Sequence, residues 1–240
     1  MLLTLKLDVN IQRSSLGVFA ILKIACRLLG NPTDFYKRET EQERKQEPGI
    51  VKHIEEEVLE TDLGTRYQYL ADFIGFDESD VKAIHSSAGY MVPLIPQIVD
   101  QTYERLLTYD ATARHFLPRQ HGYEGPTPET LSELSKDHPQ IQFRKDHLNR
   151  YLMHLIGHAY NEKMAAYLDM AGKMHTPKAG NSSIDVPLVQ MNALMGLLSD
   201  CLMKAIWSFP VEEGQRMSIL RAFNKLLWIQ NDLINRHYQA

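Results

Sequence analysis

An all-α domain is the fold class that this sequence predicts for residues 61–240. From Arg66 onward, apolar residues recur at spacings of three and four, which places them on one stripe of a helix. No alternating strand pattern, internal repeat or glycine-rich phosphate loop interrupts this series. Proline, glycine and asparagine divide it into separate helices. The 240-residue chain therefore has room for one helical domain with a full core and an N-terminal extension.

Residues 1–60 have a different character. The apolar run from Leu16 to Leu29 is interrupted by Lys23 and Arg27, and it is shorter than the roughly 20 residues that cross a membrane. A small-residue cleavage pattern is absent, which disfavours a signal peptide. The stretch from Asn31 to Glu60 is rich in Glu, Lys, Arg and Gln, a composition typical of a solvated linker. We predict a poorly ordered extension, a domain boundary near residue 60, and no membrane association.

Helix signals then follow one another through the first half of the domain. Asp77 is placed to cap a helix whose inner face carries Val81 and Ile84. Pro93 and Pro96 suit the first turns of the next helix, because a missing N–H costs little there. The inner stripe of that helix is Ile95, Val99, Tyr103 and Leu106. Tyr103 is therefore expected to face the core, where its hydroxyl needs a partner.

Two further helices are expected after a long loop, Arg119–His138, that is dense in glycine and proline. The first spans Phe143–His158, with Leu148 on its apolar side and His147 on the neighbouring side. The second spans Asn161–His175 and lies beyond a break at Gly157. Its apolar stripe is Met164, Leu168 and Ala171, and it ends with His175.

Two long helices complete the predicted fold. Pro187 is expected to open one, which ends before Phe209-Pro210, and Pro210 to open the other. Glu212 and Glu213 lie near the start of the last helix, where the helix dipole favours negative charge.

Composition excludes several classes of function. A net charge of −4 and the absence of a basic block exclude a nucleic-acid partner. Two cysteines, Cys26 and Cys201, are too few for a disulfide framework, so we expect a reducing compartment, the cytoplasm. The motifs of hydrolases, P-loop proteins, dinucleotide-binding enzymes and Cys-x-x-Cys metal sites are all missing. We predict no catalytic residue.

Histidines concentrate in the middle of the chain. His154 and His158 have a spacing that can chelate zinc, but they lack a third ligand, so ordinary exposure is the favoured interpretation. His175 ends an apolar stripe, so its imidazole must bond to a backbone carbonyl, a polar side chain or a metal. Considered alone, a hydrogen-bonded core histidine is the favoured reading of His175.

Its neighbours change that interpretation. An inward histidine, the inward Tyr103 and the aromatic residues Phe116 and Phe143 are the contents expected of a haem pocket: an axial ligand, a distal donor and apolar walls. The order Tyr103, Phe116, Phe143–His147, His175 matches a haem held between the histidine-bearing helix and the one opposite.

The segment Leu168-Asp-Met-Ala-Gly-Lys-Met-His175, followed by Val186-Pro187, resembles the proximal-histidine motif of the protoglobin and globin-coupled sensor family. Arg66-Tyr-Gln-Tyr-Leu70 with Phe76-Asp-Glu-Ser-Asp80 resembles the start of that family's globin domain. Ile98-Val-Asp-Gln-Thr-Tyr103 resembles the helix that carries its distal tyrosine. The resemblance covers about residues 62–237.

This resemblance implies a globin-like fold without the usual short fourth helix and with an extra helical segment before the first one. It implies haem b as cofactor, His175 as the iron ligand, and Tyr103 as the donor to a diatomic gas: oxygen, carbon monoxide or nitric oxide. Phe116, Phe143 and either His147 or Leu148 would wall the pocket. At Thr102 some members carry a bulky aromatic residue, so a roomier distal side is expected.

The functions implied are gas sensing, storage or detoxification. One alternative is a haem-free interaction module in which His175 is a core residue. A weaker alternative is a haem redox enzyme such as a nitric oxide dioxygenase, but the sequence shows no flavin or nicotinamide domain to supply electrons. A homodimer formed through the last two helices is expected by analogy with such sensors.

Overall fold

The computed structural model describes residues 51–239. This part of the chain contains ten α-helices and no β-strand. They are α1 (Glu56–Thr61), α2 (Leu63–Ile74), α3 (Glu78–Ser86), α4 (Ala88–Met91), α5 (Ile95–Thr108), α6 (Asp110–Ala113), α7 (Pro139–Gly157), α8 (Glu162–Lys173), α9 (Leu188–Trp207) and α10 (Glu213–Asn235). The chain from Ile54 onward forms one compact unit. The all-α prediction is confirmed, whereas most of the extension predicted to be poorly ordered, residues 1–60, falls outside the described residues.

Local sequence explains where most of these helices begin. Asp77 forms a capping box at α3: its side chain accepts from the Ser79 and Asp80 N–H groups, and Asp80 accepts from the Asp77 N–H. Pro96 lies in the first turn of α5, and Pro187 directly precedes α9. The prediction for the last helix was wrong by three residues. Pro210 lies in a tight turn, in which the Val211 N–H donates to the Phe209 carbonyl, and α10 begins at Glu213.

The hydrophobic core is organised around α10, which packs against α9, α3, α8 and α2. Because its neighbours surround it, α10 buries a continuous stripe of fully enclosed side chains: Ile219, Ala222, Leu226, Ile229 and Leu233. Burying each of the larger ones contributes about 1.5–3 kcal/mol relative to leaving it exposed. Helix α5 packs against both α7 and α9. Cys201 is buried on α9.

An ion-pair cluster ties the first helices to the last. The Arg66 guanidinium on α2 forms two hydrogen bonds with the Asp232 carboxylate on α10, at 2.6 and 2.9 Å. It also reaches Glu60 at 2.8 Å and the Leu59 carbonyl at 3.2 Å, which holds α1 against the same point. A two-pronged arginine–carboxylate contact fixes orientation as well as distance. The helices that precede α3 are therefore part of the folded unit.

No helix within residues 51–239 is long and apolar enough to cross a membrane.

Candidate functional site

The helix that presents His175 is fixed at its start by a side-chain cap. Asn161 accepts from the N–H groups of Lys163 and Met164, which satisfies donors that α8 leaves free at its first turn. Met164, Ala165 and Leu168 are buried along the inner stripe. His175 follows the helix by two residues, and its carbonyl accepts from the Val186 N–H at 2.9 Å, just before α9.

Gly172 determines how closely the end of α8 approaches α10. A Cβ atom on this residue would lie 2.7 Å from the Ile234 Cα and 2.9 Å from the Leu233 carbonyl oxygen. Both are backbone atoms, so a side chain would force the two helices apart. The glycine three residues before His175, part of the predicted motif, is therefore a packing requirement.

The His175 imidazole has one nitrogen bonded and one free. Nδ1 lies 2.7 Å from the Ala171 carbonyl oxygen. Because a carbonyl only accepts, Nδ1 must carry the proton, and the neutral ring then has its lone pair on Nε2. Burial lowers the pKa of His175 and outweighs the raising effect of the Ala171 hydrogen bond, and the Arg144 charge adds a smaller lowering. The ring is therefore neutral near pH 7, and Nε2 has no hydrogen-bond partner among residues 51–239.

Tyr103 is buried on α5, as predicted, with 7% of its surface exposed. Its ring packs against Phe116, with 5.7 Å between ring centroids. Burial raises the pKa of the Tyr103 phenol, so the hydroxyl remains a donor at all ordinary pH values. None of the described residues forms a hydrogen bond with that hydroxyl. The adjacent Thr102 is fully buried, and its own hydroxyl donates to the Ile98 carbonyl at 2.7 Å.

A buried glutamine holds Phe116 beside α7. The Gln140 side-chain amide donates to the carbonyls of Phe116 and Pro118, and its oxygen accepts from the Gln120 N–H. These bonds satisfy a side chain that is completely enclosed. The turn that follows α6 is thus attached to the first turn of α7, next to the residues predicted to wall the site.

Leu148 and His147, the two alternatives that the sequence left open for the pocket wall, differ in burial. Leu148 is partly buried and packs against the hydrophobic core. His147 is exposed, and its imidazole meets the edge of Phe143 at 4.4 Å between centroids. Phe143 also packs against Tyr123, a loop residue, at 5.3 Å. Tyr123 has no periodic neighbours, so no sequence signal marked it.

Arg144 also went unrecognised in the sequence. Its guanidinium carbon lies 5.0 Å from the centre of the Phe116 ring, and Nη2 donates to the Pro118 carbonyl at 3.2 Å. The signal was its spacing, since Arg144 precedes the inward-packed Leu148 by four residues on the same helix.

His154 and His158, the pair whose spacing could chelate zinc, lie at the C-terminal end of α7. His154 and His158 stack at 3.8 Å, and His154 also contacts the Tyr167 ring at 4.0 Å. No cluster of three or more potential metal-ligating side chains of His, Cys, Asp or Glu occurs within residues 51–239.

The helix order, with an inward tyrosine on α5 and a histidine with a free Nε2 after α8, defines a protein of the globin class. The fold is similar to the globin domain of the Geobacter sulfurreducens globin-coupled sensor, with a TM-score of 0.57 and 18% sequence identity. That match covers 72% of this chain and 97% of the sensor domain. The protoglobin family model matches residues 63–240, and the chain belongs to the protoglobin family. A comparison with curated proteins found no match.

Proposed function

We propose that this globin binds haem b through His175 and reversibly binds a diatomic gas, oxygen, carbon monoxide or nitric oxide, for sensing, storage or detoxification. The observation that supports the proposal most directly is the hydrogen bonding of the His175 imidazole. Its Nδ1–H donates to the Ala171 carbonyl on α8, so the lone pair on Nε2 is directed away from that helix. Metal-binding histidines commonly donate their other ring N–H to a carbonyl, which fixes the tautomer and the ring orientation.

The polar atoms left without partners also fit a haem. The Tyr103 hydroxyl and the His175 Nε2 lack hydrogen-bond partners among residues 51–239, and the buried Arg144 Nε has none either. Polar atoms without partners beside apolar walls favour a site built for a guest molecule that supplies those partners.

Each residue then has a distinct role. His175 donates its Nε2 lone pair, and Tyr103 donates a hydrogen bond to the ligand. Phe116, Phe143 and Leu148 exclude water, whereas we assign His147 to the rim, where it supports Phe143. When bound, haem supplies an iron position, opposite the histidine, that is open to a small gas.

Absorption spectroscopy tests the proposal directly. Full-length protein expressed with a haem precursor should show a Soret band that shifts under carbon monoxide. His175→Ala should lose or strongly alter that band, while His121→Ala, at an exposed loop position, should match the wild type. His147→Ala should also retain the band, because its ring is exposed.

Two results would contradict the proposal. A Soret band unchanged in His175→Ala would remove His175 as the ligand. A wild-type protein that takes up no haem, yet has a helical circular-dichroism spectrum, would favour the haem-free interaction module.

We also propose that the protein forms a homodimer through its last two helices. Trp207 on α9 and Trp228 on α10 are 64% and 63% exposed. Exposed tryptophans on long helices favour an interaction surface, because their large apolar area is costly to leave in water.

A further inference from the structure

Arg144 is a half-buried cation without a matching anion among residues 51–239. Its Nε is buried and has no hydrogen-bond partner, and Nη2 reaches only the neutral Pro118 carbonyl. No carboxylate within residues 51–239 forms an ion pair with it. Two buried cations among the described residues do have one: Lys145 reaches Asp100 at 2.9 Å, and Arg66 reaches Asp232. Because a buried N–H of a charged group is costly to leave without a partner, a negatively charged partner would stabilise Arg144.

The location of Arg144 indicates where that partner lies. Its guanidinium covers the Phe116 ring at 5.0 Å, and the same ring packs against Tyr103. The Arg144 charge also acts on both sides of the proposed pocket: it partly offsets the rise that burial causes in the pKa of Tyr103, and it adds a small part to the lowering that burial causes in the pKa of His175. Its contacts nevertheless place it with Tyr103, on the side assigned to the gas.

We propose that Arg144 is an anion-binding residue on the Tyr103 side of the pocket, so that the loaded protein favours small anionic ligands, such as azide and fluoride, over neutral ones. This inference rests on the proposed haem-binding function. The guanidinium is always charged and offers several N–H donors, and the Tyr103 hydroxyl adds another. The apolar walls strengthen the attraction, because charges interact more strongly where water is excluded.

Ligand titrations of the haem-loaded protein separate charge recognition from a general structural role. Arg144→Met should lower the affinity of the ferric protein for fluoride and azide by about 10- to 100-fold, the effect of losing a charged hydrogen bond. The affinity of the ferrous protein for carbon monoxide, a neutral ligand, should stay within about threefold. The fluoride and azide affinities of Arg144→Lys should lie between those of the wild type and those of Arg144→Met, since lysine keeps the charge but loses the planar donor geometry.

Arg150→Met is the matched control, because Arg150 is an exposed arginine on the same helix. It should leave both anion affinities unchanged. If Arg144→Met fails to fold, Arg144→Gln takes its place with the same expectation, because glutamine can still donate to the Pro118 carbonyl.

Unchanged fluoride and azide affinities in the Arg144 variant would overturn the inference. If those unchanged affinities came with faster transfer of haem to an acceptor protein, Arg144 would instead be assigned to a carboxylate of the haem itself. Failure of the proposed function looks different, because the wild-type protein would then show no Soret band at all.

Discussion

At the scale of single residues, Tyr103 and His175 are informative because each keeps one polar atom without a partner inside the fold. Polar atoms that lie next to a packed core normally have a hydrogen-bond partner from the protein. Here the neighbours leave them free instead: Tyr103 packs its ring on Phe116, and His175 directs only Nδ1 to Ala171. The free atoms are those that the proposed function uses.

The Tyr103 hydroxyl can be tested by its removal. Tyr103→Phe should speed oxygen dissociation by about 5- to 100-fold, because one hydrogen bond to the ligand is lost. Stopped-flow displacement of oxygen by carbon monoxide measures that rate. Tyr123→Phe is the matched control: it removes another buried hydroxyl beside Phe143 and should change the rate far less. Equal effects of the two variants would contradict a direct role for Tyr103.

His154 gives a pH dependence whose sign follows from its environment. Burial, and then the neighbouring His158, lower the pKa of His154. Between the lowered value and the unfolded value of about 6.5, the unfolded chain binds more protons, so stability should fall as the pH drops through this window. Urea unfolding at pH 7.5 and pH 5.5 measures the change. His154→Gln should reduce the difference, and an NMR titration that places the His154 pKa above 6.5 would contradict the assignment.

At the scale of helices, the approach of α8 to α10 determines where His175 is held. The two helices meet at Gly172, where the Ile234 backbone occupies the space that a Cβ would need. The interface therefore depends on a missing side chain rather than on a specific bond. Such contacts tolerate no added volume, because neither backbone can yield without moving its whole helix.

Gly172→Ala should destabilise the protein by about 1–3 kcal/mol, through overpacking against a backbone that cannot rotate away. Denaturant unfolding measures this loss. Gly196→Ala on α9 is the matched control: nothing lies within 4 Å of its added Cβ. That variant should be neutral or more stable by roughly 0.5–1 kcal/mol, because alanine favours a helix. Similar destabilisation of both variants would refute the steric explanation.

At the scale of the whole molecule, the described residues close into a single unit because distant segments meet on α10. Arg66 and Asp232 are joined across most of the domain sequence, and Lys225 on α10 reaches both Asp80 and the Gly75 carbonyl of the α2–α3 turn. Helix α10, which receives these contacts, also carries Trp228, and the other exposed tryptophan of the proposed dimer, Trp207, lies on α9.

Trp228→Glu should convert the proposed dimer into a monomer, because a carboxylate placed in an apolar interface must lose its hydration. Light scattering coupled to size-exclusion chromatography measures the mass. Phe73→Glu, which replaces a 77% exposed aromatic residue on α2, is the control and should leave the mass unchanged. A wild-type protein that elutes as a monomer at micromolar concentration would contradict the dimer.

The sequence by itself determined the helical class, most helix starts, the family, and the inward placement of Tyr103. These follow from local rules: periodicity sets the buried stripe, and Asp77, Pro96 and Pro187 act within a turn of where they stand. The start of α10 was misjudged because a proline suits a tight turn as well as the first turn of a helix.

Only the tertiary structure decided what each inward residue meets. Periodicity does not reveal that Leu148 packs inward while His147 remains exposed, that Gly172 makes room for the α10 backbone, or that the Arg144 Nε is buried without a hydrogen-bond partner. Those outcomes depend on atoms from helices far apart in sequence, whereas a repeat of three and four residues reports only the face on which a side chain begins.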